Sequence, residues 1–160
     1  RLVRASFDCV MECGKPVIAA INGAAIGAGC VLALCCDVLI AAEESFLAMT
    51  EVDVGLAGGV SHVRRFFRES ENSPEALSQE RGVPAEELLL TAQGIAREIA
   101  SKSPLAVVAA KRSFNVTEGV ALRDAYRFEQ SQTVALASTE DTKEAQRAFA
   151  EKRKPTFIGR

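Results

Sequence analysis

The sequence contains a single histidine, His62, and no marked excess of either charge. Its 19 basic and 21 acidic residues leave a formal net charge of −2, which gives no electrostatic basis for binding nucleic acid. A metal site of clustered cysteine and histidine is disfavoured because His62 lies far along the chain from the cysteines. No serine, cysteine or acid stands at a triad-like position to it, so a surface or capping role is expected. We therefore expect no metal and no nucleic-acid partner.

Long apolar runs and an even set of cysteines are also lacking. No run reaches the ~18 residues of a membrane span, and no signal-peptide pattern opens the chain, so no membrane association is expected. Five cysteines, at positions 9, 13, 30, 35 and 36, favour buried free thiols in a reducing compartment. We expect a cytoplasmic protein, or one of the mitochondrial matrix in a eukaryote. The composition, 48% hydrophobic and 25% charged over 160 residues, fits one soluble globular domain.

One stretch changes from apolar to glycine-rich and back to apolar. Val17–Ile21 is short and β-branched, which predicts a buried strand, and Asn22–Gly23 breaks it. A small-residue loop ending in Gly27–Gly29 then leads into Cys30–Cys36, an apolar run of helical length. Bare backbone amides at a helix start can hold a developing oxyanion. On the glycines alone, a packing turn without chemistry is the favoured interpretation.

The surrounding pattern predicts an α/β first part. Residues 1–13 have the spacing of an amphipathic helix, so the chain opens inside an element. Val38–Ala41 is a second apolar strand, and Ser45–Met49 a third, offset one. Two apolar strands joined through a helix favour a βαβ unit with a parallel pair. Residues 68–82 are polar and rich in turn formers, which predicts a loop, a linker or partial disorder.

The last half is predicted to be helical. Pro84 stands in the first turn of one helix, and the others cover 105–115, 122–136 and 139–152. Ser138–Asp141 resembles a capping box for the last of them. The buried face of the helix after Pro84 is expected at Leu88, Leu89, Ala92, Ile95 and Ile99.

Acidic residues near the second glycine group are candidates for proton transfer. Glu51 is flanked by apolar residues, which raises the pKa of a carboxyl and suits a general acid or base; the alternative is an inert, solvated strand end. Asp53 has the same ambiguity. Asp37 is expected to anchor a helix–strand junction. Lys152–Lys154 is either a solvated helix end or a contact for phosphates.

Several of these stretches form one set of motifs. Together they resemble the crotonase (enoyl-CoA hydratase/isomerase) superfamily, whose members bind acyl-CoA thioesters and stabilise an enolate with two backbone N–H groups. The resemblance implies an incomplete chain that lacks the N-terminal part of the domain. It is carried by Lys15–Asp37, Ala42–Gly59, Ile95–Pro104, Thr139–Phe149 and Glu151–Pro155.

The same resemblance implies the architecture. Residues 1–67 would form the C-terminal portion of a crotonase-like ββα superhelix, and residues 86–160 a helical trimerisation region. Residues 68–85, where the family has a further helix and strand, would be a loop or a disordered or missing segment. A homotrimer or hexamer is expected, with acyl-CoA as substrate and no cofactor, because coenzyme A is part of the substrate.

The resemblance also assigns candidate site residues. Ala28 matches the position that supplies one oxyanion-hole amide, Glu51 the second of two acids in family hydratases, and Gly59 a glycine whose amide helps to place water or substrate. Val31 stands where the first acid would be. Substrate-binding positions are expected at Ala24, Ile26, Gly27, Val31 and Val54, and CoA-phosphate contacts at Lys152 and Lys154.

Three interpretations remain open, and the first is an enzyme that acts on acyl-CoA. One carboxylate with an oxyanion hole is sufficient to isomerise a double bond, whereas two-acid hydration is impaired by Val31. Hydrolysis or retro-aldol cleavage through an enolate is also open to such an enzyme. The alternatives are a non-catalytic acyl-CoA-binding or scaffold member that has lost the first acid, and a helical oligomerisation module attached to a βαβ fragment.

Overall fold

The computed structural model describes residues 2–50, 53, 55 and 82–160. These form two compact units, one drawn from residues 1–13 and 17–94 and the other from residues 14–16 and 95–160. Strands and helices are both present, which confirms the predicted α/β class. The domain boundaries expected from the sequence remain a prediction.

The first unit is built on the predicted βαβ arrangement. α1 covers Leu2–Met11, β1 covers Ile18–Ile21, α2 covers Ala28–Leu34, and β3 covers Val38–Ala41. β1 and β3 pair in parallel, from Ile18 opposite Val38 to Ile21 opposite Ala41. The parallel pair and its connecting helix are thus confirmed.

A second strand pair forms a separate sheet, and only one of its two strands was predicted. The small-residue loop predicted before α2 is wrong at Ala24–Ile26, which forms β2 and pairs in parallel with β4, Phe46–Ala48. The chain leaves the first sheet at Asn22–Gly23 and joins this separate two-stranded sheet before it enters α2. The offset third strand predicted over Ser45–Met49 is confirmed as β4.

The core of the first unit forms around α2. This helix is apolar around most of its circumference, and four of its seven residues are buried, although Leu32 is 43% exposed. Asp37 anchors the junction that follows, as predicted: its carboxylate accepts from the amide of Val17 at 2.7 Å. The buried apolar residues are Ile21, Cys30, Val31, Ala33, Leu34, Cys35, Ala42, Leu88 and Ala92.

Residues after the polar stretch return to the edge of β3. Val83 forms a parallel bridge with Ala42, donating to the carbonyl of Ala41 at 2.9 Å and accepting from Glu43 at 3.1 Å. Gly82 permits this approach, since a Cβ there would lie 2.6 Å from the Cα of Glu43. Gly82 apart, the stretch predicted as a loop over residues 68–82 lies outside the described residues.

Four helices follow. α3 covers Leu88–Ala100, α4 covers Pro104–Thr117, α5 covers Leu122–Leu136, and α6 covers Glu140–Ala150. In α3, Leu88 and Ala92 are buried as predicted, but Leu89 is 63% exposed. Leu88 and Ala92 share a face four residues apart, and Leu89 lies about 100° around the helix from Leu88. Its predicted burial is therefore wrong.

The cap of α6 differs from the predicted box. Thr139, not Ser138, is the N-cap, and its hydroxyl accepts from the amide of Thr142 at 3.2 Å. Asp141 does not reach back to the cap, because its carboxylate is engaged by the C-terminal residues Ile158 and Gly159. The capping-box assignment to Ser138–Asp141 is therefore wrong in its members.

The close approach of Gly82 to Glu43 can be tested by substitution. Gly82→Ala places a Cβ inside the backbone of Glu43 and should lower the free energy of unfolding by about 1–3 kcal/mol in urea titrations. Gly94→Ala is the matched control, because nothing lies within 4 Å of that Cβ and alanine in a helix interior adds about 0.5–1 kcal/mol. Equal stabilities for the two variants would contradict the close approach.

Candidate functional site

The candidate site is the turn that joins β2 to α2. Gly27 has φ 56° and ψ −120°, a backbone conformation that residues with a Cβ rarely adopt. Its amide donates to the carbonyl of Ala48 in β4 at 2.8 Å, and its carbonyl accepts from Val31 at 3.0 Å. One residue thus ends the strand pair and begins the helix.

Ala28 is the first residue of α2, so its amide has no acceptor inside the helix. Ala28 and Gly29 are exposed and present little or no side chain around the backbone. α2 has seven residues, so the favourable potential for an anion comes from the free amides of its first turn. An N–H group held in this way can donate a hydrogen bond to a carbonyl oxygen and stabilise negative charge that develops on it.

An exposed apolar face lies beside this turn, on β2 and β4. Ala24 and Ile26 are exposed and share one face of β2, because side chains alternate along a strand. The register places Phe46, 55% exposed, opposite Ala24. Phe46 was missed in the sequence, because its place on this face follows only from the pairing of β2 with β4.

Val31 lies one turn after Ala28 and is 3% exposed. At this position an ionised carboxylate would have to be buried among apolar side chains, which is costly. α2 therefore has a polar, open first turn and an apolar remainder. Val31 therefore brings no titratable group to this turn.

Three of the predicted site residues, Glu51, Val54 and Gly59, lie outside the described residues, as does His62. Asp53 is described and exposed, and its amide donates to the carbonyl of Thr50 at 3.1 Å. The roles assigned to these residues remain predictions.

The basic C-terminal residues belong to the second unit. Lys152 and Lys154 are both exposed. Arg153 between them is engaged by two carboxylates, those of Glu144 and Glu151. The three neighbouring cations therefore differ. Arg153 is held by ion pairs within the protein, whereas the side chains of Lys152 and Lys154 are open to solvent.

Within residues 2–50 and 82–160, no group of three or more His, Cys, Asp or Glu side chains could hold a metal ion. None of the five cysteines forms a disulfide. Cys30 and Cys35 are buried, but Cys9 is exposed, so its expected burial is wrong. No helix in the described part of the chain has the length and hydrophobicity to cross a bilayer.

Comparison with known proteins gives consistent matches. The family model described as enoyl-CoA hydratase/isomerase matches residues 2–72 and 79–160. The chain is 36% identical over 160 residues to a probable mitochondrial enoyl-CoA hydratase of Dictyostelium discoideum, covering 89% of this chain and 58% of that protein. It is 38% identical over 163 residues to the 2,3-dehydroadipyl-CoA hydratase of Escherichia coli (strain K12), covering 91% and 64% respectively.

A solved structure is similar over nearly the whole chain. The crystal structure of an enoyl-CoA hydratase from Bacillus anthracis matches with a TM-score of 0.89 and 34% identity, covering 99% of this chain and 68% of that one. The chain spans less than two thirds of the length of the two curated relatives above.

Two neighbouring glycines test the turn. Gly27→Ala forces a Cβ into the positive-φ conformation and should lower the free energy of unfolding by about 1–3 kcal/mol, measured by urea titration. Gly29→Ala, inside α2 with open space around its Cβ, should leave stability unchanged or raise it by about 0.5–1 kcal/mol. If Gly27→Ala were as stable as Gly29→Ala, the assigned turn conformation would be incorrect.

Proposed function

The chain belongs to the enoyl-CoA hydratase/isomerase family, and we propose that it forms part of an enzyme that processes acyl-CoA thioesters through an enolate. The observation that carries this proposal is the Gly27–Ala28 turn, which opens a backbone N–H at the start of α2. The fold of the chain is of the α/β crotonase type. We infer further that residues 1–67 contribute ββα turns of a superhelix.

The Ala28 amide supplies one half of an oxyanion hole in this proposal. When a proton leaves the carbon next to the thioester carbonyl, negative charge moves onto the carbonyl oxygen. A donor already aimed at that oxygen stabilises the charge without reorganisation, and removal of one such donor typically costs ~3–4 kcal/mol of barrier. By the family resemblance, we propose that the partner amide comes from a part of the fold that precedes these residues.

The acyl chain would lie against the exposed apolar face of β2 and β4. Ala24, Ile26 and Phe46 offer area that excludes water from a hydrocarbon chain. This face is adjacent in the chain to Gly27 and Ala28. The thioester carbonyl and the first carbons of the acyl group would therefore be held by consecutive residues of one strand and one turn. Val54 and the amide of Gly59 are proposed to complete the pocket.

Glu51 is proposed as the proton-transfer group. It removes a proton from one carbon and returns it to another as the double bond shifts, so proton and electrons balance without water. Two-acid hydration needs a second carboxyl at position 31, where this chain has a buried valine. Isomerisation is therefore the reaction for which these residues are sufficient. The buried valine also supports a second candidate, a non-catalytic acyl-CoA-binding member.

Lys152 and Lys154 are proposed to contact the phosphates of coenzyme A. Lysine is a flexible point charge that pairs well with phosphate oxygens, and both residues are exposed.

Helices α4 and α5 are proposed as a surface for self-association into a trimer or a hexamer. They border a cavity of about 310 Å³ lined by mostly apolar side chains, including Phe114 and Leu136. Large apolar side chains remain exposed on them: Phe114, Leu122, Tyr126 and Val134. Apolar patches of this kind mark interaction sites in soluble proteins.

The first test concerns Glu51 in the full-length protein. Glu51→Gln should lower turnover of 2-enoyl- and 3-enoyl-CoA substrates by about 10²–10⁴-fold, because the proton carrier is removed. The dissociation constant for an acyl-CoA should change little. Asp53→Asn is the matched control, since it removes a nearby exposed carboxylate. If turnover survived Glu51→Gln, the assignment would be wrong; if the parent had none, the non-catalytic alternative would stand.

The second test concerns the helical surface. Val134→Asp places a charge on a side chain that is 72% exposed, so it should not disturb the monomer. If α5 is an interface, the charge should shift the molar mass measured by light scattering toward the monomer. Ala135→Asp, at an exposed position of α5 that does not line the cavity, separates a general charge effect from one at Val134. An unchanged mass for Val134→Asp would exclude Val134 from an interface.

A further inference from the structure

The residues after α6 are held in a defined path by the helix itself. α6 ends in a Schellman motif: the amide of Lys152 donates to Phe149 at 3.2 Å, and that of Arg153 to Ala148 at 3.0 Å. Lys152 has φ 55°, the conformation that glycine normally takes at this position. The chain then folds back, and we call residues 153–160 the C-terminal segment.

Glu144 is the first point at which α6 holds this segment. Its carboxylate accepts from both terminal nitrogens of Arg153 and from the amide of Thr156 at 3.1 Å. The side chain is only 14% exposed, and Arg147 lies 3.4 Å away on the same helix. The hydrogen bonds from Arg153 and Thr156 lower the pKa of Glu144 to about 2, so the carboxylate is ionised at neutral pH.

Asp141 is the second point, one turn earlier on the same face of α6. It is 1% exposed and accepts from Ser103 Oγ at 2.6 Å, from the amide of Ile158 at 2.8 Å and from that of Gly159 at 3.1 Å. Its own amide donates to the carbonyl of Arg160 at 3.0 Å. The hydrogen bond from Ser103 is the main cause that lowers the pKa of Asp141. The two carboxylates thus fix both ends of the segment.

This arrangement determines which cations are free. Arg153 is bound by Glu144 and Glu151, whereas Lys152 and Lys154 on either side of it are exposed. The pKa of Glu98 on α3 is lowered chiefly by its hydrogen bond with Lys102 and least by the charge of Lys154, so Glu98 is already paired. Two lysine side chains are therefore carried by a backbone whose path is set by Glu144.

We propose that Glu144 is a positioning residue for an anion site formed by Lys152 and Lys154, through its hold on Arg153 and Thr156. This inference rests on the proposed function, in which those lysines meet the phosphates of coenzyme A. Glu144 touches neither the phosphates nor the reacting atoms. It holds the backbone and side chain next to these lysines, at Arg153 between them and at Thr156 beyond Lys154.

The sign of the effect distinguishes positioning from simple electrostatics. Removing the negative charge of Glu144 and releasing Arg153 would, by charge alone, strengthen the binding of an anion. Loss of a fixed backbone path would weaken it, because two lysine side chains and their backbone would have to be ordered on binding. The two explanations therefore predict opposite changes in affinity.

The experiment compares acetyl-CoA with acetyl-pantetheine, which lacks the nucleotide and its phosphates, by calorimetric titration of the full-length protein. Glu144→Gln should reduce the preference for acetyl-CoA about tenfold while the affinity for acetyl-pantetheine stays the same. Glu140→Gln is the matched control: it removes an exposed carboxylate on the same helix that pairs with Lys143. Its preference should be that of the parent.

A second variant guards against a folding defect in the first. Glu144→Asp keeps the charge but is one methylene shorter, so it should lose part of the preference for acetyl-CoA at unchanged net charge. An unchanged or increased preference in both Glu144 variants would overturn the proposal. A Lys152→Ala/Lys154→Ala double variant with the parent's preference would instead remove the phosphate site itself, and this inference with it, while leaving the enolate chemistry of Glu51 untouched.

Discussion

The backbone of Gly27 is the constraint on which the first unit depends. Its amide is bound by β4 and its carbonyl by α2, so the sheet and the helix meet at one residue whose φ is positive. A residue with a Cβ there would have to relax toward ordinary φ, and either the bond to Ala48 or the bond to Val31 would be lost. The orientation of the Ala28 amide is thus a consequence of how the strand pair and the helix are joined.

The rest of α2 explains why that amide can be rigid. Cys30, Val31, Ala33 and Leu34 are buried, so the helix is held by its own apolar side chains and not by contacts at its exposed first turn. Donors that are fixed before the reaction stabilise charge without a cost of reorganisation. Valine at position 31 contributes to this burial and at the same time cannot transfer a proton. Under the proposed function, packing and chemistry make opposing demands at that one residue.

Elements whose signal is local were predicted well from the sequence. The apolar runs give β1 and β3 nearly to the residue, and α5 covers Leu122–Leu136 as expected. The predicted run for α2, Cys30–Cys36, lies two residues later than the helix at both ends. β2 was missed because two alanines and one isoleucine between glycines are too short a run to give a strand signal of their own. Their partner strand lies some twenty residues later. The role of Asp141 was missed for the same reason, since Ile158 and Gly159 engage it from an extended segment without periodicity.

The site divides in the same way. Ala28 was identified through a family motif, whose residues are contiguous, while Phe46 needed the strand register and Glu144 needed the return path of the chain. Local pattern therefore locates the turn that would face the reacting carbonyl. Which other residues lie near this turn, or hold the lysines, depends on contacts between residues far apart in the sequence, and composition and spacing do not encode those contacts.

The two ends of an acyl-CoA ligand differ in when they carry charge, and the residues proposed to bind them differ accordingly. Phosphates carry full charge before, during and after the reaction, so lysines that bind them contribute equally to ground state and transition state and govern affinity. The carbonyl oxygen gains charge only as the enolate forms, so a neutral amide dipole fixed by Gly27 acts mainly on the rate. Residues that position the lysines should then alter binding, and residues that position the amide should alter turnover. Glu144 and Gly27 both act by fixing the backbone. Under the proposed function, Glu144 should affect the affinity for the ligand, and Gly27 should affect the rate of the chemical step.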